Sequence, residues 1–272
     1  MAFGMEESMR LRYYVVDAFC ERPFGGNPAG VCPLDEWLDD TLMCSIAAEN
    51  RLSETAFCVR RPDGVYELRW FTPAGEIDLC GHATFGTSYV LFSFFEQDAA
   101  ELRFHAPLRG YDLVCRRAGD LIEMDFPRIP PEPIVCDEDF AAALGALPGE
   151  VLATGRDLVL VYGDEAVVRG MRPDFGLVRG FSHGLSCYVT APAADVDYVA
   201  RAFWPKLGIP EDPVCGSMQS TLVPYWSARL GKDVLVCEEP SERGGMVWCR
   251  DLGDSVRIAG HGRLYLTGEI EV

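Results

Sequence analysis

Three observations predict an α+β protein built as two lobes. Short runs rich in Val, Tyr and Phe outnumber the helical stretches. A cluster at Pro127, Pro130, Pro131 and Pro133 reads as a rigid crossing near mid-chain. Each half also carries a Cys-Gly pair at a loop-to-helix junction, Cys80-Gly81 and Cys215-Gly216. The 272 residues, 49% hydrophobic and 24% charged, suit one large domain or two of about 100–150 residues.

In chain order, Leu11–Phe19 reads as a strand, and Gly25 to Gly30 as a turn cluster. Asp35 to Glu49 groups Trp37, Leu38, Leu42, Met43 and Ile46 on one face and predicts an amphipathic helix. Strands are expected at Thr55–Arg60 and Tyr66–Phe71. An enclosed apolar helix follows from near His82 to about Phe95. Leu102 to Phe126 reads as short strands turning at Pro107–Gly110 and Ala118–Asp120. Beyond the prolines come a helix at Asp137–Leu144 and strands at Leu158–Tyr162 and Ser186–Thr190. A long helix from about Ser217 to Leu230 precedes strands at Val234–Glu238, Met246–Arg250, Ser255–Ile258 and Arg263–Glu271. In both halves strands lead to a Cys-Gly junction and a helix, although no close sequence repeat is visible.

Acidic residues outnumber basic ones by 42 to 24, for a net charge of −18. That balance argues against nucleic acid or an anionic membrane as a partner, since both require a cationic footprint. The longest apolar stretch, near Ser88 to Phe95, is too short for a bilayer. Met1 to Arg10 carries Glu6, Glu7 and Arg10 without a signal peptide's apolar core, so the expected compartment is the cytoplasm.

Eleven cysteines occur with no Cys-x-x-Cys pair and no zinc-site spacing. Cys20, Cys32, Cys44, Cys58, Cys115, Cys136, Cys187, Cys237 and Cys249 therefore read as reduced core or strand filler. No metal is expected. Neither GxxxxGK[ST] nor GxGxxG appears, and no Schiff-base lysine stands out, so no cofactor is expected either.

Cys80 and Cys215 stand apart. A helix N-terminus lowers a thiol's pKa, and its amides, here at Gly81 and Gly216, suit an anion. Two such junctions would hold a carboxylate and bracket its α-carbon with two proton-transfer groups. Glu54, within Asn50–Thr55, reads either as a poised base or as a solvated loop carboxylate. His82 is either a proton shuttle or a helix-start packing residue. Asp212 precedes Pro213, an ordinary turn position. Ser217 reads as an N-cap or a ligand hydroxyl. Arg243, in Ser241–Gly245, either clasps an acid group or sits in a hairpin turn.

These pieces resemble one family when taken together. Asp17-Ala18-Phe19, Gly26 to Gly30, Asn50 to Thr55, Cys80 to Thr84, Asp212 to Ser217, Pro224-Tyr225-Trp226 and Arg243-Gly244-Gly245 fall in the order of the PhzF-like family, named for a phenazine-biosynthesis isomerase. The resemblance implies a diaminopimelate-epimerase-like fold: two pseudo-symmetric lobes, each a curled, mostly antiparallel sheet around a central helix. An N-terminal lobe of 10–118 plus 264–272 and a C-terminal lobe of 119–263 are expected, with the substrate cleft between them and a homodimer as the assembly. It also implies that Glu54 is the acid/base, supported by His82, Asp212 and Ser217. In diaminopimelate epimerase two cysteines ahead of glycines transfer the proton, and those positions resemble Cys80 and Cys215. Gly81, Gly216, Ser217, Asn27 and Arg243 are the expected substrate-binding positions.

The chain departs from many PhzF-like sequences by carrying Cys215 in place of Thr, and Met218-Gln219 in place of Ala-His. The expected function is a cofactor-independent isomerase moving a proton at a carbon α or vinylogous to the carboxylate of a small substrate. Either Cys80 and Cys215 work opposite faces, or Glu54 is the sole shuttle. A non-catalytic binding protein and a thiol-redox protein are the rivals.

Overall fold

The computed structural model describes residues 8–272; the polar segment holding Glu6 and Glu7 lies outside the described residues. Two compact units result. One comprises the described residues up to Phe24, Pro28–Ile122 and His261–Val272; the other comprises Gly25–Asn27 and Glu123–Gly260.

In the first unit β1 (Arg10–Ala18) runs antiparallel to the C-terminal strand Gly262–Glu271 and pairs on its other side with β2 (Asn27–Leu34). β2 is parallel to β3 (Thr55–Arg60), which is antiparallel to β4 (Tyr66–Thr72). β4 takes the short β5 (Gly75–Ile77) antiparallel and β6 (Glu101–Ala106) parallel; β7 (Tyr111–Ala118) closes the hairpin with β6. The run Tyr13–Val16 is apolar throughout because both faces of β1 are covered. Tyr13 and Val15 pack against Met43, Ile46 and Ala47 of α1 (Asp40–Asn50), whereas Tyr14 and Val16 pack with Val31 and Val90 of α2 (Gly81–Val90).

α1 begins later than its hydrophobic pattern suggests because Asp39 caps it, accepting the N–H of Thr41 at 2.8 Å. The helix stops at Arg51, a non-glycine residue at φ 53 whose N–H bonds to the carbonyl of Ala47. α2 is enclosed, and the hydroxyls of Thr84, Thr87 and Ser88 donate back to the carbonyls of Cys80, Ala83 and Thr84. Those three hydroxyls are thereby satisfied within the helix. A π-helical turn at Leu91–Phe95 carries it to the predicted end. The expected turn at Gly25–Gly30 is shorter than predicted, since Asn27 to Gly30 already belong to β2.

The second unit contains β8 (Leu121–Pro127), β9 (Glu132–Pro133), α3 (Phe140–Leu144), β10 (Glu150–Ala153), β11 (Asp157–Val161), α4 (Glu165–Gly170), α5 (Phe175–Arg179), β12 (Ser186–Pro192), β13 (Tyr198–Trp204) and β14 (Ile209–Asp212). It continues with α6 (Gln219–Leu230), β15 (Val234–Glu239), β16 (Gly245–Asp251) and β17 (Ser255–Gly260). Leu158, Leu160, Cys187, Val189, Val199 and Phe203 project from one sheet face onto α3, α4 and α5. The other face carries α6. There the indole of Trp226 donates to Thr190 at 3.0 Å and stacks on Tyr198 at 5.5 Å between ring centres. No helix among the described residues is long and apolar enough to cross a membrane.

Strand registers reveal an internal duplication. Both units contain parallel pairs in the same order, β2–β3 and β4–β6 in one, β11–β12 and β13–β15 in the other. In the first, Thr55 opposes both Gly30 and Phe71, and Trp70 opposes Ile77. In the second, Cys187 opposes Leu158 and Phe203, and Ala202 opposes Asp212. Followed along the chain, this correspondence places Cys80 with Cys215, His82 with Ser217, Ile77 with Asp212, and Glu54 with Ser186.

Candidate active site

Glu54 is the last residue before β3, and its carbonyl accepts the N–H of Gly30 at 3.1 Å, which pins it to the seam between β2 and β3. Its side chain points inward and is only 7% exposed as a residue, so it is not a solvated loop carboxylate. Glu54 Oε2 lies 3.0 Å from Nε2 of His82, the second residue of α2. Nδ1 of the same ring is 3.5 Å from Sγ of Cys80, and Nε2 is 3.4 Å from the hydroxyl of Ser53. The chain end of α1, the start of β3 and the start of α2 thus bring four polar side chains into one cluster, in which Glu54, Cys80 and His82 are buried and Ser53 is exposed.

The electrostatics of this cluster follow from that arrangement. Burial works against the charge of Glu54. The positive charge of His82 outweighs it, and hydrogen bonds from His82, Ser53 and Cys80 add to the effect, so the carboxyl is held below its usual pKa. Burial also works against a charged His82. Its contacts with Cys80 and the negative charge and hydrogen bond of Glu54 prevail and hold the imidazole well above its ordinary pKa. Near neutral pH the pair is carboxylate and imidazolium.

The thiols behave opposite to expectation. Cys80 is raised by burial and by the charge of Glu54, against which His82 and the amide of Ala83 do not suffice. Cys215 is raised well above the ordinary thiol value by burial and by Asp212 and Glu239. A helix start does lower a thiol's pKa, but here desolvation and neighbouring carboxylates are larger.

Around Cys215 the second unit builds a different network. The N–H of Cys215 donates to Glu239 at 2.7 Å, and the other oxygen of Glu239 accepts from the Gln219 amide at 3.0 Å. Gln219 in turn accepts from the hydroxyl of Tyr198 at 2.5 Å. Asn27 donates to Asp212 at 2.6 Å and to the carbonyl of Val214 at 3.0 Å. Ser217 does not cap the helix: its hydroxyl lies 3.5 Å from Cys215 Sγ, within the short 3-10 turn Gly216–Met218 that leads into α6. Ser186, in the place of Glu54, donates to Asp157 at 2.6 Å.

Arg243 sits in the hairpin turn between β15 and β16 and donates to the carbonyls of Gly25 and Gly26, both at 2.8 Å. It thereby ties the Gly25–Asn27 segment to that hairpin. A cavity of about 450 Å³ in the same unit is lined by Arg169, Arg172, Arg201, Glu211 and Glu242 among others. Its charge is largely matched internally, Arg201 by Glu211 and Arg169 by Glu165 and Glu238, so it contains no acid/base pair comparable to Glu54 and His82.

The structure therefore gathers Glu54, Cys80, Gly81 and His82 in one unit and Asn27, Asp212, Cys215, Gly216 and Ser217 in the other. Glu239 was missed by the sequence reading. It follows Glu238, an ordinary ion-pair partner of Arg169, and nothing in the local sequence separates the two. Burial, with Asp212 and Glu211 adding to it against the hydrogen bonds from Cys215 and Gln219, pushes Glu239 up to about 8. Of the nine read as filler, Cys44 and Cys136 are half-buried and the rest buried.

Comparison with known proteins agrees with this architecture. Residues 16–265 match the PhzC-PhzF family, described as phenazine biosynthesis-like protein. An uncharacterized isomerase of Pseudomonas aeruginosa is 45% identical over 265 residues, covering 97% of this chain and all of the relative. A PhzF-family crystal structure from Enterococcus faecalis superposes with a TM-score of 0.94 at 43% identity, over 97% of this chain and 100% of that one. A hydroxyproline epimerase from Agrobacterium vitis shares the fold, with a TM-score of 0.60 at 11% identity over 97% of this chain and 93% of that one. The α+β architecture is the epimerase-like one expected.

Proposed function

This chain belongs to the phenazine biosynthesis-like PhzC-PhzF family and is an isomerase by that kinship, and on that footing we propose that Glu54 is its proton shuttle. The observation that carries this reading is the buried Glu54–His82 pair at 3.0 Å. An ionised carboxylate is already a base at neutral pH, and the adjacent imidazolium keeps it so despite burial. The substrate is a small carboxylic acid whose C–H bond lies α or vinylogous to the carboxylate. Glu54 takes that proton, the electron pair of the C–H bond delocalises toward the substrate carboxylate, and the protonated Glu54 returns the proton at a second position. First-turn amides of a helix have no partner within the helix and suit an anion. The start of α2 at Gly81 and His82 is accordingly the assigned carboxylate contact. The thiols are spectators in the acid/base step.

A second reading has its own support, because Cys80 and Cys215 occupy corresponding positions in the duplicated units. That symmetry suits a two-thiol epimerase. The raised pKa of both thiols favours the first reading. Family likeness also extends the proposal to a cytoplasmic homodimer; sedimentation at several concentrations checks the dimer.

The test is proton NMR in deuterated water with a panel of amino acids and unsaturated cyclic acids, following loss of substrate C–H signal. Glu54→Gln is expected to slow exchange by about 10²–10⁴-fold, the usual contribution of general acid–base catalysis. Cys80→Ser with Cys215→Ser is expected to retain it. Exchange that needs the thiols and ignores Glu54→Gln overturns the assignment in favour of the two-thiol reading.

A further inference from the structure

The Glu54 cluster has a second chemical capacity, independent of proton transfer. Its three strongest donors are a thiol, an imidazole and a carboxylate, and one ligand atom from each lies within 4.8 Å of the others. Nε2 of His82 is 3.0 Å from Oε2 of Glu54 and 3.9 Å from Sγ of Cys80. Tetrahedral zinc with bonds of about 2.0–2.3 Å places its ligands roughly 3.3–3.6 Å apart, so both separations from His82 lie within about half an ångström of that spacing. Glu54 Oε2 is moreover buried, and its nearest polar neighbour, at 3.0 Å, is the His82 ring nitrogen that would itself serve as a ligand.

We propose that Glu54, Cys80 and His82 form a site for a soft divalent cation of the Zn²⁺, Co²⁺ or Cd²⁺ class, and that its occupation silences the isomerase. Sulfur and imidazole donors select these ions over Mg²⁺ and Ca²⁺. Three protein ligands leave the fourth position open, as in exchangeable zinc sites. Binding balances as follows: the Cys80 thiol and the His82 imidazolium each release one proton to solvent, and Glu54 is already anionic. The dication then meets one thiolate and one carboxylate, so the buried assembly is neutral overall. No zinc signature announces the site, because Cys80 and His82 are only two residues apart and Glu54 comes from another element. The silencing clause rests on the proton-shuttle reading: the carboxylate lone pair that accepts a substrate proton is the one the cation takes. The binding clause does not.

The experiment titrates Co²⁺ into the full-length, reduced, chelator-stripped protein. A thiolate-to-cobalt absorption band saturating at one Co²⁺ per chain is expected, with Zn²⁺ displacing it and about two protons released per ion in weak buffer. Cys80→Ser and His82→Ala are each expected to weaken binding at least tenfold. A Cys44→Ser, Cys136→Ser variant, altering the two half-buried thiols, retains it. No band, or a band unchanged in Cys80→Ser, overturns the site. Should His82→Ala fail to fold by circular dichroism, Cys80→Ser decides alone. In the NMR exchange assay, one equivalent of Zn²⁺ is expected to stop turnover and a chelator to restore it. Full-rate exchange with the cation bound overturns silencing while leaving the binding result intact, and loss of binding leaves the proton-shuttle reading untouched.

Discussion

Two buried carboxyls, Glu54 and Glu239, receive opposite treatment from their surroundings. Glu54 has an imidazolium beside it; Glu239 has hydrogen-bond donors but acidic neighbours. Their consequences with pH follow in opposite directions. A carboxyl raised to about 8 in the folded state stabilises most below its unfolded value, and that stabilisation is lost as pH rises through 8. The unfolding free energy is therefore expected to fall by several kcal/mol, in order of magnitude, between pH 5 and pH 9. Glu239→Gln flattens that slope while keeping an acceptor for the amide of Cys215; urea denaturation across this range measures it. An unchanged slope in the variant would remove Glu239 as the source. For Glu54 the relevant variant is His82→Asn. With the positive charge gone, only the hydrogen bonds from Ser53 and Cys80 oppose burial, and the acid limb of solvent exchange moves to higher pH. The pH profile of the exchange rate checks this.

Local geometry around the site is set by how α1 ends and how β2 meets β3. Arg51 holds the left-handed cap at φ 53, a conformation that costs a side-chain-bearing residue about 1–2 kcal/mol. Arg51→Gly is expected to raise stability by up to about 1 kcal/mol, read as a higher melting temperature. Gly30 is the reverse case. A Cβ there would sit 2.2 Å from the Tyr13 hydroxyl and 2.7 Å from that of Thr55. Gly30→Ala should cost about 1–3 kcal/mol and lower exchange as well, because the Gly30 N–H pins the Glu54 carbonyl. Much of this was legible beforehand. β3, β4 and the helices that follow both Cys-Gly junctions carry strong periodic or apolar signals, whereas β5 and β14 before those junctions are too short and polar to do so. The motif residues Glu54 and His82 were identified from their neighbours in sequence. Other elements left no such trace. Buried Arg201 interrupts the apolar run of β13, and α4 and α5 are short helices started by Asp164 and Asp174 as caps, too brief for a hydrophobic period. The direction of the thiol pKa values was also illegible, because burial and the approach of Glu54 and Glu239 come from residues far away in sequence.

Across the whole molecule, one supersecondary plan is used twice with different chemistry. Where the first unit has Glu54 and His82, the second has Ser186 and Ser217; where the first has Ile77, the second has Asp212. The cysteines and the glycines that follow them, Gly81 and Gly216, are kept in both. If the duplicated plan once supplied equal chemistry from each half, it has since divided the work, and Ser186→Glu with Ser217→His is the variant that would rebuild the pair in the second unit. The pair is expected to be tolerated poorly there, since Ser186 is buried and bonded to Asp157 and a larger anion beside that carboxylate meets like charge. A melting temperature lowered by several degrees would confirm this. The same inequality between halves bears on handedness. A single base bordering a planar intermediate returns the proton to that face alone, whereas two bases on opposite faces return it to either. Deuterium drawn from the solvent should enter the product at one face, leaving a single labelled stereoisomer.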